Sequence, residues 1–149
     1  MIQTFEFSPQ NPLDHRQKLE IAAFLHSQLG AYGDPQPAIE KAIDYALGRN
    51  GSLGGHVFVS KSENEVTGAV VINKTGMNDY IPANILVYIA TRSELRGQGI
   101  GRKLMELAIE RVEGDVALHV EADNPAKALY ERLGFTNKYL EMRLTKEGK

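Results

Sequence analysis

The chain has 149 residues, a net charge of −2 and no cysteine. That length suits one compact domain spanning residues 1–149, and its ordinary apolar content is enough for a core without covalent staples. Disulfides, thiolate metal sites and a cysteine nucleophile are excluded, and the charge balance argues against a broad basic face for nucleic acid.

Ile2 to Phe7 alternates apolar and polar residues and reads as a first strand, stopped by Ser8-Pro9-Gln10-Asn11-Pro12. Asp14, or Asn11 with Pro12 behind it, caps a helix whose stripe is Ile21, Ala22, Leu25 and Leu29, and Gly30 ends it. After a loop from Ala31 to Pro37, a second helix carries Ile39, Ala42, Ile43, Ala46 and Leu47 on one face. His56 to Ser60 and Val66 to Ile72 read as an antiparallel pair around the polar turn Lys61 to Glu65. A polar loop from Asn73 to Pro82 leads to the apolar run Ile85 to Ala90, which has the composition of a central strand.

Next comes Arg96-Gly97-Gln98-Gly99-Ile100-Gly101-Arg102-Lys103. Three glycines at alternate positions between a strand and a helix let backbone N–H groups approach a phosphate at a helix N-terminus. The helix stripe is Ile100, Leu104, Leu107, Ala108 and Val112, closed by Gly114, and Asp115 to Val120 follows as a parallel strand. Asn124 as N-cap and Pro125 at the first helical position open a short helix with Ala126, Leu129, Tyr130 and Leu133 on one face. Gly134 ends that helix, and Phe135 to Leu144 alternates as a last strand would. The order predicts an α/β domain with a mixed, mostly antiparallel sheet and a single βαβ crossover.

The glycine loop fails two phosphate signatures. A P-loop needs a hydroxyl residue where Leu104 stands, and a dinucleotide fingerprint needs glycine where Arg102 stands. A nucleotide-binding α/β domain is therefore a weak alternative, although Glu121 lies where a ribose-binding acid would. The pattern Arg/Gln-x-x-Gly-x-Gly/Ala is met at every position from Arg96 to Gly101. A second motif, Asn followed by Leu-Tyr-x-x-x-Gly-Phe, is met by Asn124 and Leu129 to Phe135. With both motifs in order across residues 85 to 135, the chain resembles the GNAT superfamily of acyl-CoA-dependent N-acyltransferases.

The resemblance implies acetyl-CoA as co-substrate and an amine as acceptor, joined by direct attack in a ternary complex. It places the coenzyme pyrophosphate on the amides of Gln98, Gly99, Ile100, Gly101 and Arg102, with Gly97 in the turn. Arg96, Arg102 or Lys103 would add charge-assisted bonds. The pantetheine arm would pair with the strand Val87 to Thr91, including Ile89, Ala90 and Thr91, where two parallel strands splay apart. Amides near Ile89 would polarise the acetyl carbonyl. Asn124 would bond the arm, and Tyr130 would act as general acid toward the departing thiolate.

No carboxylate lies on the strand before the loop, so the base is open among Glu121, His119, Asp79, Glu141 and a water chain. Tyr32, Tyr45, Asp79 and Tyr80 are candidates to shape the acceptor pocket. The missing strand carboxylate leaves a second reading, a catalytically inactive acyl-CoA sensor on the same fold. His15, His26, His56 and His119 have no metal-ligand spacing, so no metal site is read. No apolar run approaches the roughly 18 residues of a membrane span, and the N-terminus lacks a signal-peptide pattern. A soluble cytoplasmic protein without nucleic-acid or membrane partners is expected, and the resemblance admits a homodimer.

Overall fold

The computed structural model describes residues 2–147. The chain divides into two compact units, Met1–Leu118 and His119–Lys149. The first unit runs β1 (Ile2–Phe7), α1 (His15–Leu29), α2 (Gln36–Ala46), β2 (Gly55–Ser62), β3 (Glu65–Lys74), β4 (Asn84–Thr91), α3 (Ile100–Arg111) and β5 (Val116–Leu118). The strands lie side by side in chain order. All neighbouring pairs are antiparallel except β4 and β5, which are parallel. A parallel pair cannot be joined by a tight hairpin, and α3 supplies the crossover. This is the mixed, mostly antiparallel sheet expected from the element order.

Local chemistry sets the boundaries. Of the two candidate caps for α1, Asp14 does the work: its carboxylate accepts the Gln17 N–H at 2.8 Å. The Gln17 side chain in turn accepts the Asp14 N–H at 2.9 Å, completing a capping box. Asn11 instead donates its side-chain amide to the Glu6 carbonyl at 2.9 Å. β2 and β3 extend further than their apolar cores suggest, because the turn is only Glu63 and Asn64, both at positive φ. Polar Lys61, Ser62 and Glu65, read as turn, are paired strand residues.

Each face of the sheet carries helices. Val57, Val59, Ala69, Val71, Tyr88 and Ala90 join Ile21, Ala22 and Leu25 of α1 and Ile39 and Ile43 of α2 in one core. Fully burying each such aliphatic side chain stabilises by about 1.5–3 kcal/mol. α3 packs on the other face. It comes so close that a Cβ on Gly68 of β3 would lie 2.7 Å from Leu104 Cδ1 and 3.2 Å from Ile100 Cγ2. The buried stripe of α3 is Ile100, Leu104, Met105 and Ala108. Leu107, expected in that stripe, is only half-buried, and Met105 takes its place because the contact line drifts across the helix.

In the second unit, α4 spans Lys127–Arg132. It begins later than Asn124 and Pro125 suggested. Asn124 Oδ1 accepts the Ala126 N–H at 2.9 Å and the Asn124 carbonyl accepts the Lys127 N–H at 3.0 Å, so these residues form a turn that leads into the helix. The predicted last strand, Phe135 to Leu144, is absent: the alternation is present, but no described residue pairs with this stretch. Leu140, Met142 and Leu144 are 83–90% exposed.

Candidate active site

The glycine loop lies between β4 and α3, and its entry is anchored. The Ser93 N–H donates to Gln28 Oε1 at 3.0 Å. The Arg92 guanidinium donates to the Val66 carbonyl and lies over the Phe24 ring, 6.0 Å from its centroid. Gly97 and Gly99 take φ of +87° and +80°, conformations that favour glycine. A Cβ at either position would meet nothing within 4 Å, so the approach to the loop is open.

Lys103 is the first residue of this region whose N–H closes a helical bond, to the Gly99 carbonyl at 3.0 Å. The six preceding N–H groups, Gly97 through Arg102, have no hydrogen-bond acceptor among the described residues. Six consecutive free donors at the positive end of a 12-residue helix suit a multiply charged anion. Arg96 and Lys103 are exposed, with no ion pair among the described residues, whereas Arg102 holds Glu106 at 3.1 Å. Residues and geometry thus fit a pyrophosphate on the Gln98 to Arg102 amides.

β4 provides the second element. Val71 pairs with Tyr88 and Ile72 with Leu86, which leaves Val87 as an extra, bulged residue. The ladder to β5 covers only Asn84, Ile85 and Leu86. From Val87 through Ile89, Ala90 and Thr91, β4 has β3 on one side and, among the described residues, no paired strand on the other. Unpaired backbone groups at such an edge are available to an extended ligand.

In the second unit, Tyr130 is buried and its ring meets Phe135 edge-on at 5.9 Å. Burial pushes its hydroxyl pKa up to about 12. That hydroxyl has no hydrogen-bond partner among the described residues. Asn124 spends its carbonyl oxygen on the Ala126 turn.

None of the four candidate bases is buried: Asp79, His119 and Glu121 are exposed, and Glu141 pairs with Arg143 at 3.3 Å. Of the candidate pocket tyrosines, Tyr45 lines a groove along α2, and its hydroxyl donates to the Lys74 carbonyl at 2.6 Å. Tyr80 is 80% exposed. The sequence did not single out Asp34. Its carboxylate accepts the Tyr88 hydroxyl at 2.6 Å. The signal was the hydroxyl of Tyr88 on an otherwise apolar strand, since a buried phenol normally finds a partner.

A sheet with one open-edged parallel pair, and a helix whose N-terminus offers free amides beside it, fit what the resemblance to acyl-CoA-dependent N-acyltransferases implies. The family model described as an acetyltransferase (GNAT) domain matches residues 53–137, and the chain belongs to that family. A 5-NmdU N-acetyltransferase of Pseudomonas phage PaMx11 is 34% identical over 85 residues, 55% of this chain and 58% of the phage protein. The match thus spans little more than half of that relative's length. A transcriptional regulator from Bacillus halodurans C-125 superposes with a TM-score of 0.69 at 19% identity, covering 98% of this chain and 100% of that one. The aminoglycoside N-acetyltransferase AAC(6')-Iy, solved with CoA, gives a TM-score of 0.68 at 15% identity, covering 99% of this chain and 95% of that one. At these identities the two structures share the fold.

Proposed function

We propose that the protein is an N-acetyltransferase that transfers acetyl from acetyl-CoA to a primary amine, and that residues 1–149 act as one such domain in the cytoplasm. The observation that carries this is the run of six unbonded amides from Gly97 to Arg102, inside the segment matched by the family model. The Gln98, Gly99, Ile100, Gly101 and Arg102 amides bind the pyrophosphate, with Arg96 adding charge. The free edge of β4 at Ile89, Ala90 and Thr91 receives the pantetheine amides and polarises the acetyl carbonyl. Asn124 positions the arm.

The neutral amine attacks the thioester carbonyl, the C–N bond forms, the C–S bond breaks, and the ammonium proton leaves to solvent. No cysteine is present to carry an acyl group, so attack is direct. Tyr130 meets the departing sulfur. With its pKa raised to about 12, it holds its proton throughout the neutral range. Full transfer to a thiolate of pKa about 8.5 is uphill by roughly 5 kcal/mol. Tyr130 therefore stabilises the thiolate chiefly as a hydrogen-bond donor, a contribution of about 1.5–3 kcal/mol.

The test is thermal unfolding with and without CoA, followed by an amine panel with acetyl-CoA and thiol detection. The panel includes 5-NmdU, the compound in the phage relative's name. At a hundredfold excess over Kd, CoA is expected to stabilise by about 2.7 kcal/mol. No shift with CoA removes the proposal.

A further inference from the structure

The turn that leads into the glycine loop is the last fixed point before the free amides begin. β4 ends at Thr91, and the next residue continues its ladder, the Arg92 N–H donating to the Thr67 carbonyl at 2.9 Å. Ser93–Leu95 then forms a single 3₁₀ turn. In it the Leu95 N–H donates to the Arg92 carbonyl at 2.9 Å and the Arg96 N–H to the Ser93 carbonyl at 3.3 Å. After Arg96 no backbone N–H is bonded among the described residues until Lys103. The loop is thus a free span hung between two mounts. The far mount is α3, whose first residue, Ile100, is buried against β3. The near mount is the turn, in which Ser93 and Glu94 are exposed.

α1 holds that turn. Its core side is Ile21, Ala22 and Leu25, buried with Val71, Tyr88 and Ala90 of the sheet. Phe24 and Gln28 stand at i and i+4 on α1, neighbours on the helix surface, and both reach the residues that follow β4. The Phe24 ring lies against the Arg92 guanidinium, 6.0 Å from ring centroid to guanidinium carbon, and that guanidinium also donates to the Val66 carbonyl of β3. Gln28 Oε1 accepts the Ser93 N–H at 3.0 Å. Ser93 is the first residue of the turn, so the turn itself offers its N–H no carbonyl. Gln28 is half-buried on a helix fixed by the core, and the acceptor it presents is therefore carried by a rigid element.

We propose that Gln28 is a positioning residue for coenzyme binding: it fixes the entry turn at Ser93, so that the Gly97–Arg102 amides stand ready for the pyrophosphate before the ligand arrives. This deepens the N-acetyltransferase reading and rests on it. Gln28 acts through Ser93 and not on the reacting atoms. A loop whose binding-competent arrangement is only partly populated binds with an affinity reduced by that fraction. Ordering the loop costs conformational entropy, most of all at its glycines. A tether at the entry meets that cost during folding, so ligand binding does not. The bond is a neutral one, and its loss lowers the competent fraction by about 2- to 10-fold. Affinity for CoA falls with it. The transfer step starts from the already ordered complex and keeps its rate, so KM for acetyl-CoA rises while kcat is unchanged.

The test compares Gln28→Met, which keeps the length and helix preference of the side chain but removes the acceptor, with Gln28→Glu, which retains an oxygen at the same reach. Asn11→Ala is the control. It removes another side-chain bond to the backbone, to the Glu6 carbonyl at 2.9 Å, in the connection between β1 and α1. A cooperative melting transition shows that each variant folds. Amide hydrogen exchange on the ligand-free proteins is expected to show the Ser93 N–H exchanging about 2- to 10-fold faster in Gln28→Met, and no faster than wild type in the other two. CoA is then titrated calorimetrically in about 0.5 M salt, where the added carboxylate of Gln28→Glu is screened beyond about 4 Å. Kd is expected to rise about 2- to 10-fold in Gln28→Met and to stay at the wild-type value in Gln28→Glu and Asn11→Ala. The proposal is overturned if folded Gln28→Met matches the wild type in Ser93 exchange or in CoA affinity, or if either of the other variants loses as much affinity as Gln28→Met. No CoA binding by the wild type would instead remove the acetyltransferase reading, and the Ser93 exchange rates would still decide whether Gln28 holds the turn.

Discussion

Gly99→Ala separates what the loop costs the fold from what it gives the ligand. Gly99 has φ +80° and ψ 9°, and a Cβ there meets no atom within 4 Å. The cost to folding is therefore only the left-handed backbone of an L-residue, about 1–2 kcal/mol. At roughly 2–4 °C per kcal/mol for a chain of this size, the melting temperature falls by about 2–8 °C. The methyl, however, stands in the open approach to the Gly97–Arg102 amides. Loss of one charge-assisted hydrogen bond there costs about 1.5–3 kcal/mol, or roughly 10- to 100-fold in affinity for CoA. Gly51 provides the control: its φ is +76° and its Cβ also meets nothing within 4 Å, but it lies between α2 and β2. Gly51→Ala should lose a similar amount of stability and no CoA affinity. Calorimetric titration of CoA into both variants and the wild type reads the difference. Wild-type affinity in folded Gly99→Ala, or equal losses in the two variants, would refute the phosphate assignment.

Three other variants have outcomes that follow from named contacts. Tyr130→Phe should lower kcat about 10- to 100-fold with little change in KM for acetyl-CoA. The same change should alter the alkaline limb of stability. Burial keeps folded Tyr130 protonated to about pH 12, whereas unfolded tyrosine ionises near pH 10, so the folded state binds more protons between them. Stability then falls as pH rises above about 10, by about 1 kcal/mol at pH 11, and urea titrations at pH 9 and 11 should show that fall reduced in the Phe variant. Gly55→Ala should cost about 3 kcal/mol or more in urea unfolding, because its Cβ would lie 2.0 Å from the Ile72 carbonyl oxygen on the paired strand. Asp14→Ala removes the carboxylate arm of the α1 capping box, leaves the backbone arm to Gln17, and should cost about 1 kcal/mol by the same measurement.

What could be read in advance was what local chemistry encodes. The glycine loop is one continuous segment, and its positive-φ glycines and free amides follow from residues 96–103 alone. The β1–β4 strands and the first three helices announce themselves by periodicity and caps. Pairing is not local. Residues 135–144 have a strand's alternation without a partner strand, and β5 ends at Leu118 because its ladder with β4 ends at Leu86. The Asp34–Tyr88 contact was hidden for the same reason. Asp34 and Tyr88 are 54 residues apart. Tyr88 was visible as a hydroxyl on an apolar strand, but its partner was not.

The most direct measurement is thiol release from acetyl-CoA, with mass analysis of the product, across a panel of single-amine compounds. An N-acetyltransferase releases free CoA thiol only when protein, acetyl-CoA and an amine are all present. The amine product gains one acetyl group on nitrogen, in a one-to-one ratio with the thiol. Saturable CoA binding with no amine-dependent thiol release from any compound would contradict that activity and leave a protein that only binds the coenzyme.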